Sequence, residues 1–216
     1  MDASPSLSLL VPLPRPARGE TARVHLGSSE LVLEGVRGGH SLLWSDGRQA
    51  RRYALGLGAA GHLTLQLRAP KLPVRIVPRE VMSVVPNGRI SGYVFVSLVP
   101  TLVWHDDDGH SHALVELFPN DLAAEWDEET GHSFESASPW CVRFPMRNGE
   151  PRAIVPIRLV NASGEVVSPA NLPITLGDAD LFERRGSIVV APRRLVWLGE
   201  QFETQVRAAK TMRVGA

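Results

Sequence analysis

The chain has 216 residues, 44% hydrophobic and 21% charged, a composition that excludes global disorder and supplies enough length to bury a core without staples. Its 23 Lys and Arg balance 23 Asp and Glu, so the basic excess that gives dedicated nucleic-acid binders their affinity is missing, and no nucleic-acid partner is expected. The one cysteine, Cys141, excludes an intrachain disulfide and any multi-cysteine metal centre, which fits a reducing compartment.

Residues 1–20 read as a partly irregular segment. Its apolar stretch, Leu7 to Leu13, is broken by Pro12 and Pro14, follows Asp2, and has neither a basic leader nor a small-residue cleavage site, so it does not read as a secretory signal. No apolar run reaches the roughly 18 residues of a membrane-crossing helix, so no transmembrane segment is expected and the cytoplasm is the expected location. Residues 21–216 read as a single β-rich domain, with a candidate internal boundary at 68–80, where "RAPKLPVRIVPRE" carries three prolines.

The glycine-rich "LGLGAAGH" (55–62) resembles a nucleotide loop on paper but lies among strand signals with no helix after it, so it reads as a turn. In "GHLTLQLRAP", Leu63, Leu65 and Leu67 alternate with Thr64, Gln66 and Arg68, the period of a half-buried strand. "SGYVFVSLVPTLVW" is apolar on both faces from Tyr93 to Leu98, as a covered central strand would be, and Pro100 predicts a bend, a bulge or a change of sheet. "NDLAAEWDEETGH" could be a helix capped by Asn120, but reads better as a hairpin, because "WDEETGHSF" echoes the earlier "WHDDDGHSH". Cys141, between bulky neighbours on an apparent strand, reads as a buried inert thiol. "FPMRNGEPRAIVPI" predicts a hairpin at Asn148-Gly149, and Pro156 predicts an edge or bulge within "RAIVPIRLVN". "GDADLFERRG" is the best helix candidate, with Asp178 as its cap and Gly186 as its stop.

Asp-Gly and Asn-Gly corners at short intervals, with 17 prolines and 19 glycines, leave room for one or two short helices at most. The expected fold is therefore all-β, an antiparallel β-sandwich built as one unit or as two β subdomains. The tryptophans, four of the five beside apolar strand residues, are expected in the core. The arginine pairs 51–52, 184–185 and 193–194 are expected on a solvated surface, with an anion contact as the alternative.

Pro78-Arg79-Glu80, then Pro86 with its turn glycine and the Tyr93 strand, then Pro156-Ile157-Arg158 and Val160-Asn161, form a pattern over about half of the chain. In these strand and turn residues the chain resembles an uncharacterised prokaryotic family, domain of unknown function 432. The resemblance implies an intracellular all-β protein and brings no activity, cofactor or catalytic residue.

The sharpest chemical feature is "TLVWHDDDGHSHALVELF" (101–118). If Asp106 to Gly109 form the loop of a hairpin, His105 faces His110, and His112 shares that side. Three imidazoles so placed would suit a zinc ion with an open fourth position, and Glu116 could serve as a base. The alternative is a solvated turn whose Asp-Asp-Gly simply makes the corner. A loop of another length would turn His105 away from the other two. No phosphate loop, nucleophile elbow or His-Glu-x-x-His motif occurs.

The sequence thus points first to a non-enzymatic binding or structural module that works through a protein interface or self-association, with the edge strand "IVPIRLV" offering backbone groups to a partner. The second reading is a metal-binding protein or metal-dependent hydrolase using His105, His110 and His112. A third, recognition of a polyanion or sugar by the arginine pairs and tryptophans, rests on composition.

Overall fold

The computed structural model describes residues 8–57, 60–119, 121–127, 131–145, 149–184 and 186–206. The chain divides into two compact units that are discontinuous in sequence. Unit 1 comprises Met1–Arg68, Leu98–Asn120 and Arg147–Pro151, and unit 2 comprises Ala69–Ser97, Asp121–Met146 and Arg152–Ala216.

Unit 1 holds two four-stranded antiparallel sheets. One is a meander of β2 (Thr21–Leu26), β3 (Ser29–Val36), β4 (Gly39–Ser45) and β5 (Ala50–Leu55). Its alternation is plain: Leu31 and Leu33 of β3 and Leu42 and Trp44 of β4 are buried, while their strand neighbours are less covered. The other sheet runs β1 (Leu10–Leu13), β6 (His62–Arg68), β9 (Val99–His105), β10 (Ser111–Glu116). Pro12 is tolerated because β1 is an edge strand. The even/odd alternation of β6 puts Leu63, Leu65 and Leu67 inside as expected. Thr64, on the other face, is buried too, its hydroxyl 2.9 Å from His105 Nε2.

Unit 2 holds two mixed sheets. The first runs β11 (Ala123–Asp127), β12 (Gly131–Ser138), β7 (Val74–Pro78), β14 (Leu172–Ile174). The second runs β15 (Leu181–Arg184), β16 (Ser187–Val190), β13 (Arg152–Asn161), β17 (Arg193–Trp197), β18 (Phe202–Val206), with β8 (Arg89–Ser97) paired to the other side of β13. Strands β12 and β7 come close to β8, and β14 comes close to β18, so the two sheets adjoin within the unit. Three pairings depart from the expected antiparallel pattern: β7 with β12, and β13 with both β16 and β17, are parallel.

The fold is all-β. Among the described residues there is no α-helix, and no helix is long and apolar enough to cross a membrane. The helix expected at "GDADLFERRG" is a single 3-10 turn, Asp178–Asp180. Leu181 then enters β15, which pairs with β16, so Gly186 (φ 72°) makes a hairpin corner and is not a helix stop. Tertiary pairing has overridden a weak local signal here.

The hairpin expected at "NDLAAEWDEETGH" is present, with Asp127 opposite Gly131; Asn120 and residues 128–130 lie outside the described residues. The turn expected at Asn148 also falls outside them. Its flanks do not pair with each other: Cys141 to Pro145 form no regular strand, and β13 takes other neighbours. Cys141 is half-buried, not buried, and sits on an isolated bridge to Tyr93.

The two prolines behave differently. The apolar run around Pro100 is two strands: β8 ends at Ser97 in one unit and β9 begins at Val99 in the other, so the expected change of sheet falls at Leu98. Pro156 is not at an edge, because β13 is paired on both sides. It lies opposite Tyr93, whose own N–H and C=O turn away to Cys141, so the missing proline donor faces the other flank. On that flank β16 has paired with Ala153 and Ile154, and β17 begins only at Ile157. Proline thus occupies the gap between two successive partners, where no ladder bond is lost.

Candidate functional site

The tip of the β9–β10 hairpin is built by three loop residues, Asp107 to Gly109, and not four. The Asp106 amide donates to the His110 carbonyl at 3.1 Å, and the Gly109 amide donates back to the Asp106 carbonyl at 3.2 Å. Gly109 takes φ 85°, the left-handed residue that a three-residue hairpin requires. This loop shifts the register by one from the sequence expectation. His105 lies opposite Ser111, and His112 lies opposite Trp104. Because side chains alternate, His105 falls on one face and Asp106, His110 and His112 on the other.

His105 has found other company. Its Nε2 is 2.9 Å from Thr64 Oγ1 and its Nδ1 is 2.8 Å from Ser111 Oγ, so both ring nitrogens are engaged. Its ring stacks on His62 at 4.6 Å, almost parallel. The three histidines expected to converge are thus divided two and one. Glu116 is divided from His112 as well. A bulge between Ala113 and Val115 sets Glu116 opposite Thr101, on the His105 side, whereas an unbroken strand would keep it with His112.

On the other face the structure brings together a group that sequence reasoning missed. Asp106 Oδ2 is 3.2 Å from His112 Nε2 and 3.5 Å from His110 Nδ1, and Asp106 Oδ1 accepts the His110 amide at 2.8 Å. One potential ligand atom each from Asp106, Asp108 and His110 lies within 4.8 Å of the others. The His110 amide, followed by the His112 ring, holds the Asp106 carboxyl below the usual aspartate range, so it is an anion at neutral pH. The signal available in the sequence was the turn itself, since an Asp-Asp-Gly corner with glycine in third place favours a three-residue loop.

The remaining sequence candidates are scattered. Arg51 and Arg52 lie exposed on edge strand β5, as expected, and Arg185 is outside the described residues. Arg193 overturns the expectation of a solvated pair: it is wholly buried beside Asp180. The cause is that β17 has apolar residues on both faces, and Arg193 shares the side of fully buried Leu195. Trp44 and Trp104 are core residues, while Trp140 and Trp197 are half-buried and the side chain of Trp126 is not described.

The pattern running from Pro78-Arg79-Glu80 through Tyr93 to Pro156-Ile157-Arg158 and Asn161 lies within unit 2. The Arg79 amide donates to the Ser138 carbonyl at 3.0 Å, Glu80 Oε2 accepts the Trp140 amide at 2.7 Å, and Tyr93 lies between Pro156 and Cys141. Asn161, fully buried, donates from Nδ2 to the carbonyls of Val84 (2.8 Å) and Glu165 (2.6 Å). Its Oδ1 accepts the amide (2.9 Å) and hydroxyl (2.7 Å) of Ser163. Ser163 and Glu165, which these bonds hold, belong to the lining of an open groove of about 770 Å³ whose walls are Ser163–Ser168 and the β17–β18 turn, 197–201. Val166 and Leu198 line it and are 60% and 54% exposed.

The geometry defines an all-β protein with a polar hairpin tip in unit 1 and, in unit 2, a largely polar groove that also exposes Val166 and Leu198. No protein-family model, curated protein or solved structure matches the chain.

Proposed function

We propose that the chain is a non-enzymatic binding module that works through a protein interface at the groove in unit 2. The observation that carries this reading is the pair Val166 and Leu198, large apolar side chains more than half exposed in the lining of one groove. Exposed apolar surface rimmed by polar groups is the common mark of a contact site. Glu165 and Glu200 line the same groove, so the occupant that fits is a protein segment combining apolar and basic side chains. The strand "IVPIRLV", expected to offer its edge, is paired on both sides. The edge beside the groove is instead β18, which among the described strands pairs only with β17.

The test is light scattering after size exclusion, with cross-linking and mass spectrometry of complexes taken from the native cell. Cross-links should fall on 163–168 and 197–201, and Leu198→Glu should abolish the complex without changing the melting temperature. A strictly monomeric protein that retains no partner, or a complex indifferent to Leu198→Glu, would overturn the proposal.

A further inference from the structure

We propose that the hairpin face bearing Asp106, Asp108, His110 and His112 binds one divalent transition-metal ion of the zinc type. Two imidazoles and two carboxylates form a mixed nitrogen and oxygen donor set, which suits zinc and its neighbours. Calcium and magnesium prefer oxygen alone, and no thiolate is present to select a softer ion.

The geometry is close to closure. A tetrahedral zinc ion bound at about 2.0–2.2 Å holds its donors roughly 3.3–3.5 Å apart. Asp106 Oδ2 already stands at 3.2 Å from His112 Nε2 and 3.5 Å from His110 Nδ1. Ligand atoms of Asp106, Asp108 and His110 lie within 4.8 Å of one another, and Asp108 and His110 are exposed, so small side-chain rotations can close that spread. The backbone under these side chains is fixed by the three-residue turn and by the Asp106–His110 amide bonds, so little order is lost on binding. Asp106, Asp108 and His110 form the core of the donor set, and His112 stands beside it through Asp106 Oδ2.

The assignment differs sharply from a three-histidine centre. His105 lies on the opposite face with both ring nitrogens bonded, so it takes no part. The site lies in unit 1 and does not depend on the groove in unit 2.

The experiment uses the untagged full chain, stripped with chelator and titrated with zinc ions against a competing indicator, with the melting curve of each variant recorded alongside. One equivalent of zinc should bind, His110→Ala and Asp106→Asn should each weaken binding tenfold or more, and His105→Ala should leave it unchanged. The imidazole NMR signals of His110 and His112, and not those of His62 and His105, should move on zinc addition. The proposal is overturned by the absence of stoichiometric binding, by unaltered affinity in His110→Ala and Asp106→Asn, or by a loss in His105→Ala equal to that in His110→Ala.

Discussion

Arg193 and Asp180 form an ion pair at 2.7 Å in which the guanidinium is entirely buried and the carboxylate is 31% exposed. Arg193 Nη1 also donates to the Ala191 carbonyl at 3.1 Å, while Nε has no partner among the described residues. The same Asp180 oxygen accepts the Gly177 amide at 3.0 Å, closing the turn before β15. Removing the carboxylate leaves a buried cation with only carbonyl acceptors. Asp180→Ala should therefore cost about 3 kcal/mol, and Arg193→Met, which removes the charge as well, should cost clearly less. Urea denaturation of the two variants checks the order, and equal losses would contradict it.

Asn161 joins two backbone segments through four hydrogen bonds, and all of its surface is buried. Asn161→Ala takes the side-chain acceptor from the Ser163 amide and leaves the Glu165 carbonyl with only the Ser163 hydroxyl, at a cost of about 1–3 kcal/mol. Asn161→Asp should be worse, because it points a carboxylate at two carbonyls. Hydrogen exchange should show the loss of protection concentrated at 163–167. A uniform loss across unit 2 would mean that Asn161 supports the whole core and not this wall.

Gly92 of β8 lies under Trp140. A Cβ there would meet the indole ring at 2.5–2.8 Å, so alanine must displace the ring. Gly92→Ala should cost about 1–3 kcal/mol and shift the tryptophan fluorescence. Gly164→Ala, where a Cβ meets open space, serves as the control. An unshifted spectrum with full stability in Gly92→Ala would show that Trp140 moves freely.

Asp46 closes the β4–β5 corner, its Oδ1 accepting the amides of Arg48 at 3.0 Å and Gln49 at 2.9 Å. Burial pushes its carboxyl up, but the Gln49 and Arg48 amides outweigh that and hold it below the ordinary aspartate value. A depressed folded pKa stabilises the folded state at pH values above the unfolded pKa, and that contribution disappears as pH falls through the folded one. Carboxyl NMR should find Asp46 titrating below a free aspartate, and Asp46→Asn should lose that acid-side dependence. A midpoint at or above the free value would refute the amide account.

Much of the architecture was legible because it is local. Leu63, Leu65 and Leu67 alternate whatever their neighbours do, and β11 pairs with β12, the next strand along the chain. The two echoing segments show where local reading stops. Both fold as hairpins, yet Trp104 faces His112, eight residues on, whereas Trp126 faces His132, six residues on. Similar turn residues do not specify register, and a one-residue slip carries every side chain to the other face. That slip is why the three histidines do not converge and Asp106 joins His110 and His112 instead.

By itself, then, the sequence determined that the chain is β and which residues alternate, since these depend on neighbours a few positions away. Only the tertiary structure decided that Pro156 sits in a central strand between two partners, that Arg193 is buried against Asp180, and that the run through Leu98 belongs to two units. Each of these depends on which distant strand lies alongside, and that choice is settled by packing the whole core.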